Sequence, residues 1–270
     1  MLLLTNSTSL LAQISAIVLN DETKAPIHYA NIGVEDEQTG TFTNEDGKFI
    51  LNNISPKKRL FFSAVGYEKL EKTAHDISDT IYLKPQAIEL SEVRIIKKQN
   101  LLNFKTGKLK GNLASILTFY PNPKYRAQLI AKYFPPKKEY IQTPFLKKVK
   151  IRTHLYRDDF SINLVFYSVG ETGEPKNYLY DKNIVCKIEK GYDRIQTIDV
   201  SELNITVPAD GFFVSLETLP YQNKNKEELN GLGYILIKAK KNTDTWLNET
   251  NGNWTKNKKF NIPMELELSN

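Results

Sequence analysis

The sequence predicts an all-β protein built as two β-sandwiches. Three observations carry this. Apolar residues recur at a period of two far more often than at 3.6. Clusters of Asn, Asp, Gly and Pro punctuate the apolar runs at short intervals. Aromatics make up 11% of the residues, and most are Tyr and Phe, which suit pleated, half-buried surfaces. At 270 residues the chain is long enough for one to three domains, each with a real core. No stretch approaches the roughly 20 apolar residues of a membrane-spanning helix.

The first strands run from Gln13 to about Ile96. Ile14–Leu19 opens the series, and Asn20-Asp21-Glu22-Thr23 turns the chain. Ala30–Val34 and Gly40–Thr43 alternate apolar with small or polar residues. Asn44-Glu45-Asp46-Gly47 reads as a hairpin turn, because Gly accepts a positive φ without strain. Lys48–Leu51 returns. Arg59–Val65 is apolar enough for a central strand, and Thr80–Leu83 and Glu92–Ile96 complete the set. About seven short strands in this span fit a small Greek-key sandwich.

Residues 97–112 are polar, basic and Gly-containing, and read as a linker. The Gly-Lys pair there lacks the spacing of a phosphate loop. The second domain is expected over residues 113–270. Leu113–Leu117 reads as a short helical segment. Strands follow at Phe145–Arg152, Phe160–Phe166, Ile184–Ile188, Arg194–Val200, Phe212–Leu216, Tyr234–Ala239 and Met264–Leu268. Phe160, Ile162, Leu164 and Phe166 fall on one face. An antiparallel set of this size predicts a jelly-roll-like sandwich.

Residues 1–96 hold 9 Lys/Arg against 13 Asp/Glu, a net of −4, and the remainder holds 28 against 18, a net of +10. The basic residues are diffusely spaced, which reads as a solvated surface and not as a nucleic-acid stripe. Residues 1–13, from Met1-Leu2-Leu3-Leu4 to Ala12-Gln13, resemble the last part of a secretory signal that lacks its positive start. The expected setting is therefore outside the cytoplasm: periplasmic, outer-membrane-associated or extracellular. No Cys follows this segment, so no lipid anchor is expected there.

Three segments together carry a family resemblance: Ala30-Asn31-Ile32-Gly33-Val34, then Gly40-Thr41-Phe42-Thr43-Asn44-Glu45-Asp46-Gly47-Lys48-Phe49, then Phe62-Ser63-Ala64-Val65-Gly66-Tyr67. They resemble the carboxypeptidase regulatory-like domain, a transthyretin-like β-sandwich. Leu90-Ser91-Glu92-Val93 is similar to the segment that ends this domain in outer-membrane nutrient transporters of Bacteroidota. The resemblance covers residues 14–96 and implies a fold and a cell-envelope setting, with no reaction attached. Backbone physics accounts for the motif: Gly47 serves a turn, Phe42 and Phe49 face the core, and Gly66 permits a tight turn before Tyr67. Val207–Val214 is similar to part of the β-sandwich that accompanies this domain in other Bacteroidota proteins, a domain of unknown function.

The sequence shows no catalytic constellation, no cofactor motif and no metal-ligand spacing. His28, His75 and His154 are scattered, and none begins a metal-binding pair. His154, among Lys and Arg, is expected at the surface. Cys186, in the apolar Ile184–Ile188, reads as a small buried hydrophobe. Glu35-Asp36-Glu37 and the Asn44–Gly47 loop read as solvated turns and not as calcium loops. The residues with binding potential are rings in loop-like stretches: Tyr178, Tyr180, Tyr221, Trp246 and Trp254. Exposed, they would offer flat faces for stacking on a glycan; otherwise the tryptophans pack the sandwich. The expected function is a non-catalytic extracytoplasmic binding or assembly module of the cell envelope, with a protein partner or a glycan as ligand, no nucleic acid, and no transmembrane segment in the mature chain. The alternative is a secreted carbohydrate-binding or carbohydrate-active protein with its site in the second domain.

Overall fold

The computed structural model describes residues 11–37, 39–86, 101–119, 128–155, 160–219, 232–239, 243–248 and 253–270. They are almost entirely β-structure and fall into two compact units that divide after Pro85.

The N-terminal unit contains β1 (Ala12–Asn20), β2 (Asn31–Val34), β3 (Gly40–Phe42), β4 (Lys48–Ile54), β5 (Arg59–Ser63), β6 (Leu70–Thr73) and β7 (Thr80–Leu83). One sheet has the order β4-β1-β7, with β1 and β7 parallel, and the other the order β3-β2-β5-β6. Alternation along β1 and β4 points Ile14, Ala16, Val18, Phe49 and Leu51 into the same core as Ile32, Val34, Leu60 and Phe62 from the other sheet. The Phe49 and Phe62 rings meet edge to face at 5.9 Å across that core. Gly47 has φ +74° at the hairpin, where Asn44 Oδ1 accepts from the amides of Asp46 at 3.1 Å and Lys48 at 2.9 Å. Gly66 has φ +82° in the turn before Tyr67. Phe42 departs from expectation: it is half-buried and lies outside the core cluster, at the open side where edge strands β3 and β4 leave a depression of about 1140 Å³. The strand expected at Glu92–Ile96 and the Leu90–Val93 segment lie outside the described residues.

Thr43 is the least obvious part of the motif. Its side chain is buried, donates to the Ile27 carbonyl at 2.6 Å and accepts from the Ala30 amide at 2.8 Å. One hydroxyl therefore satisfies two buried backbone groups that no strand pairs.

The C-terminal unit contains β8 (Asn103–Lys108), β9 (Leu113–Phe119), β10 (Gln128–Phe134), β11 (Phe145–Leu155), β12 (Phe160–Val169), β13 (Pro175–Tyr178), β14 (Ile184–Ile188), β15 (Gly191–Asp199), β16 (Phe212–Thr218), β17 (Leu232–Lys238), β18 (Thr245–Asn248), β19 (Trp254–Lys256), β20 (Phe260–Asn261) and β21 (Met264–Ser269). The first sheet runs β13-β12-β16-β10-β18-β19, with β14 also on β12; the second runs β20-β17-β11-β21-β8, with β15 on β11 and β9 on β17. Their inner faces share one core, to which Ile162, Leu164, Phe166, Phe212, Val214 and Leu216 contribute from the first sheet and Val149, Ile151, Tyr234, Leu236 and Leu266 from the second.

Two expectations fail here for the same reason. Residues 103–108, expected in the linker, pair antiparallel with β21, so the second unit claims much of that segment. Leu113–Leu117, expected as a helical segment, pairs with β17. Both are strands through partners remote in sequence, and tertiary pairing overrides weak local preference. Gly107 fits its strand through a φ of +88°, because a Cβ there would sit 2.3 Å from the Met264 carbonyl oxygen.

Candidate functional site

The outer face of the first sheet of the C-terminal unit carries an aromatic patch with a buried acid. Strand alternation builds it. With Ile162, Leu164 and Phe166 turned inward, β12 presents Asn163, Val165 and Tyr167 outward; β16 likewise presents Phe213, Ser215 and Glu217. Register lines these up: Tyr167 lies opposite Phe213 and Tyr178, and Phe213 opposite Tyr133. The ring centroids of Tyr167 and Tyr178 are 5.1 Å apart, and those of Tyr133 and Phe213 5.0 Å. Trp246 meets Phe213 edge to face at 6.0 Å, and Trp254 meets Tyr167 at 5.7 Å.

The last contact fixes the shape of the patch. In strand order β19 is four places from β12, which in a flat sheet is about 19 Å at ~4.8 Å per strand. Two rings cannot bridge that gap sideways, so the β18–β19 ribbon curls back over the outer face. Beneath it lies a floor of small residues in register, Val165, Ser215 and Ala131, all buried.

The next outward pair is Asn163 with Glu217. Glu217 is only 8% exposed. Asn163 Nδ2 donates to Glu217 Oε2 at 3.1 Å and to Asn183 Oδ1 at 2.8 Å, while Asn163 Oδ1 accepts from the Ile184 amide at 2.7 Å. Burial pushes the Glu217 carboxyl up to about 7, against the weaker opposing pull of the Asn163 hydrogen bond. Burial holds the Tyr167 and Tyr178 hydroxyls above their ordinary value, reinforced at Tyr167 by Tyr178 and then Glu217, and at Tyr178 by the charge of Glu217.

Three of the five rings singled out from the sequence, Tyr178, Trp246 and Trp254, therefore come together, each half-buried. Tyr180 does not join them; it packs against the inner core. Tyr221 lies outside the described residues. The centre of the patch, Tyr167, Phe213 and Glu217, was not singled out. Its signal lies in β16, where Glu217 is the one charged residue of the Phe212–Thr218 run and alternation puts it with Phe213 and Ser215.

Other chemistry-bearing residues serve the fold. His154 is not at the surface: it is 3% exposed, its ring 4.2 Å from that of Tyr192 on β15. Cys186 is half-buried, and burial raises its thiol to about 11, the opposite of nucleophile activation. Glu37 and Glu35 pair with Lys58 at 2.7 Å and Arg59 at 3.8 Å. On the outer face of the second sheet, Lys150 contacts Glu267 at 2.5 Å and Glu265 at 3.8 Å, and Lys105 contacts Glu267 at 3.1 Å. Arg152 grips Asp193 with two nitrogens and donates to the carbonyls of Leu109 and Gly111. Lys132, nearly fully buried, pairs with Asp244 and donates to the Ile262 carbonyl at 3.2 Å, which ties the two sheets together. Burial lowers the Lys132 pKa, against the raising pull of Asp244. Among the described residues no three His, Cys, Asp or Glu gather as a metal site, and no helix is long and apolar enough to cross a membrane.

The Thr43 bridge, the Gly47 hairpin and the two-sheet core of the N-terminal unit coincide with a known domain. Residues 14–95 match the family model of the CarboxypepD_reg-like domain. No curated protein matched the chain. Among solved structures, the cysteine protease and lectin-like domains of Cwp84, a surface layer associated protein of Clostridium difficile, align at 14% identity and a TM-score of 0.35, over 53% of this chain and 32% of that one. A variant of the same clostridial cysteine protease, after propeptide cleavage, aligns at 10% identity and a TM-score of 0.39, over 96% of this chain and 70% of that one. Infectious bursal disease virus Gt strain aligns at 8% identity and a TM-score of 0.33, over 96% and 54%. The chain thus spans about a third of the first of these, and alignments this loose carry nothing about its activity. The CarboxypepD_reg-like domain accounts for the first β-sandwich module.

Proposed function

We propose that the protein is a non-catalytic, extracytoplasmic binding module of the cell envelope, with its ligand face on the outer face of the first sheet of the C-terminal unit. The observation that carries this is the contiguous cluster of Tyr178, Tyr167, Trp254, Phe213 and Trp246 over a floor of small side chains, with Glu217 at its margin. Tyr178, Trp246 and Trp254 are half-exposed, with Tyr167 and Phe213 buried beneath them, and such half-exposed rings present apolar faces with polar edges, a surface suited to stacking on a ligand. The CarboxypepD_reg-like domain supports the envelope setting, and the leader-like start of the sequence supports export. The jelly-roll-like topology of the second sandwich belongs to the same proposal.

The test uses the two tryptophans. The chain has only two, and both lie in this patch. A ligand that binds there changes their fluorescence saturably, and Trp254→Ala removes both the change and the affinity. Screening should cover glycans, peptides and small amines. A panel in which nothing binds, together with a specific envelope partner captured equally by wild type and Trp254→Ala, would move the binding function off this face and favour an adaptor acting elsewhere on the chain.

A further inference from the structure

We propose that the ligand of this face is a small molecule bearing an ammonium group, and that Glu217 is the counter-charge that recognises it. This rests on the binding-face reading above and adds the chemistry of the ligand.

Three other carboxylates of the C-terminal unit are matched by cations of the chain itself. Glu267 has Lys150 and Lys105, Asp193 has Arg152, and Asp244 has Lys132. Each is less buried than Glu217, with side chains 22%, 33% and 31% exposed, yet each is matched by a cation of the chain itself. Glu217, at 8% exposed, has none: among the described residues its one hydrogen-bond partner is the neutral amide of Asn163. A buried carboxylate without a cation is costly, and it either holds a proton or draws its counter-charge from a ligand.

The surroundings select the sign and the type of that charge. From β12 the carboxyl is faced by Asn163 and Tyr167 and from β13 by Tyr178, and its charge also reaches the hydroxyl of Tyr234, which lies in the inner core. On β14 its row continues to Val185, and the nearest lysine on that strand, Lys187, is exposed and opposite Ser161. On β10 the row continues to Leu129. All of these except Lys187 are neutral at physiological pH, and Lys187 forms no ion pair with Glu217. Rings of Tyr167, Tyr178, Trp246 and Trp254 stand on the same face, and their negative π faces attract a cation and repel an anion. A neutral sugar would stack on the rings but leave the carboxylate uncompensated. An ammonium group satisfies both rings and acid.

The experiment titrates tryptophan fluorescence of the full chain with choline and with its uncharged isostere, 3,3-dimethylbutan-1-ol. Choline is expected to bind at least about tenfold more tightly than the isostere. Glu217→Gln, checked as folded by near-UV circular dichroism, is expected to lose that preference while still binding the isostere. Wild-type affinity for choline is expected to fall as pH drops from 8 to 6, because the acid takes up its proton in that range, and Glu217→Gln should show no such dependence. Equal binding of both probes, or choline binding unchanged in Glu217→Gln, overturns the role of Glu217 and leaves the binding face standing. Saturable binding of a neutral saccharide with neither probe bound overturns the ammonium ligand and supports the face. No fluorescence response to any compound overturns both.

Discussion

Glu217 makes the stability of the C-terminal unit depend on pH in an unusual direction. Its carboxyl titrates at about 7 in the folded chain against an ordinary value of 4.5. Between those two values the folded state holds a proton that the unfolded state has released. Stability must therefore fall as pH rises through that window: the contribution is fully present below 4.5 and lost above 7. At 1.36 kcal/mol per pH unit the interval amounts to about 3 kcal/mol. The carboxyls held below their ordinary values, such as Glu267 with Lys150 and Lys105, act in the opposite sense but only below pH 4.5. The Glu217 contribution therefore falls between pH 5 and pH 8, and comparison with a variant that lacks the acid separates it from every other group that titrates in that range. The perturbation is Glu217→Gln, whose neutral amide keeps an oxygen for Asn163 Nδ2 and has no proton to lose. Urea denaturation read through Trp246 and Trp254 reports on the unit that contains Glu217. The wild type is expected to lose about 2–3 kcal/mol from pH 5 to pH 8, the variant to stay flat, and the two to converge near pH 5. At pH 8 the variant should be the more stable. A variant with the wild-type pH slope, or one less stable than wild type at pH 8, would refute the claim that this acid is buried without compensation.

Three further substitutions probe the frame. Thr43→Val should destabilise the CarboxypepD_reg-like domain by about 2–3 kcal/mol in a denaturation curve, because it strands the Ile27 carbonyl and the Ala30 amide; Thr43→Ser should cost about 1 kcal/mol or less, and equal losses would show that the methyl group matters more than the hydroxyl. Gly107→Ala should cost the C-terminal unit about 2 kcal/mol or more, since its Cβ meets the Met264 carbonyl oxygen at 2.3 Å in a left-handed conformation; a neutral result would mean that β8 is dispensable to the sandwich. Asp244→Ala should cost about 3–5 kcal/mol by leaving the ammonium of Lys132 buried and unpaired, whereas Lys132→Met, which leaves a carboxylate 31% exposed, should cost about 1 kcal/mol; a larger loss for the lysine variant would reverse the assignment of which charge is stranded.

How much of this was legible depends on what each residue has to pair with. Thr80–Leu83 and Ile184–Ile188 emerge as strands with the bounds expected, because apolar alternation and flanking turns are local signals. Residues 103–108 read Asn-Phe-Lys-Thr-Gly-Lys, with no alternation to see; they are a strand because β21 offers a free edge. His154 looked like a surface residue among Lys148, Lys150 and Arg152, and alternation does place all four on one face. What the sequence could not show is that the rings of His154 and Tyr192 meet, so that this end of the face is closed. The aromatic patch was half legible. Trp246, Trp254 and Tyr178 drew notice as rings in loop-like stretches, while Tyr167 and Phe213 were hidden inside strands whose neighbours already filled the core. Only the β12–β16 register puts those two side by side and sets Glu217 on the same face.

The same register shows that the cations of β11 do not form an open basic stripe. Along β11 the outward residues are Lys148, Lys150 and Arg152, and each has a carboxylate from β21 or β15 within reach: Asp199 at 4.0 Å, Glu267 at 2.5 Å and Asp193 at 2.5 Å. A phosphate backbone would have to displace these acids to gain the same contacts, which removes most of the electrostatic gain that drives such binding. The second sheet thus turns outward a neutralised ladder that needs no partner. The first sheet turns outward rings and an acid without a cation. Among the described residues of the two outer faces, the acid without a cation lies on the first, and this is the reason the proposed ligand is assigned to that face.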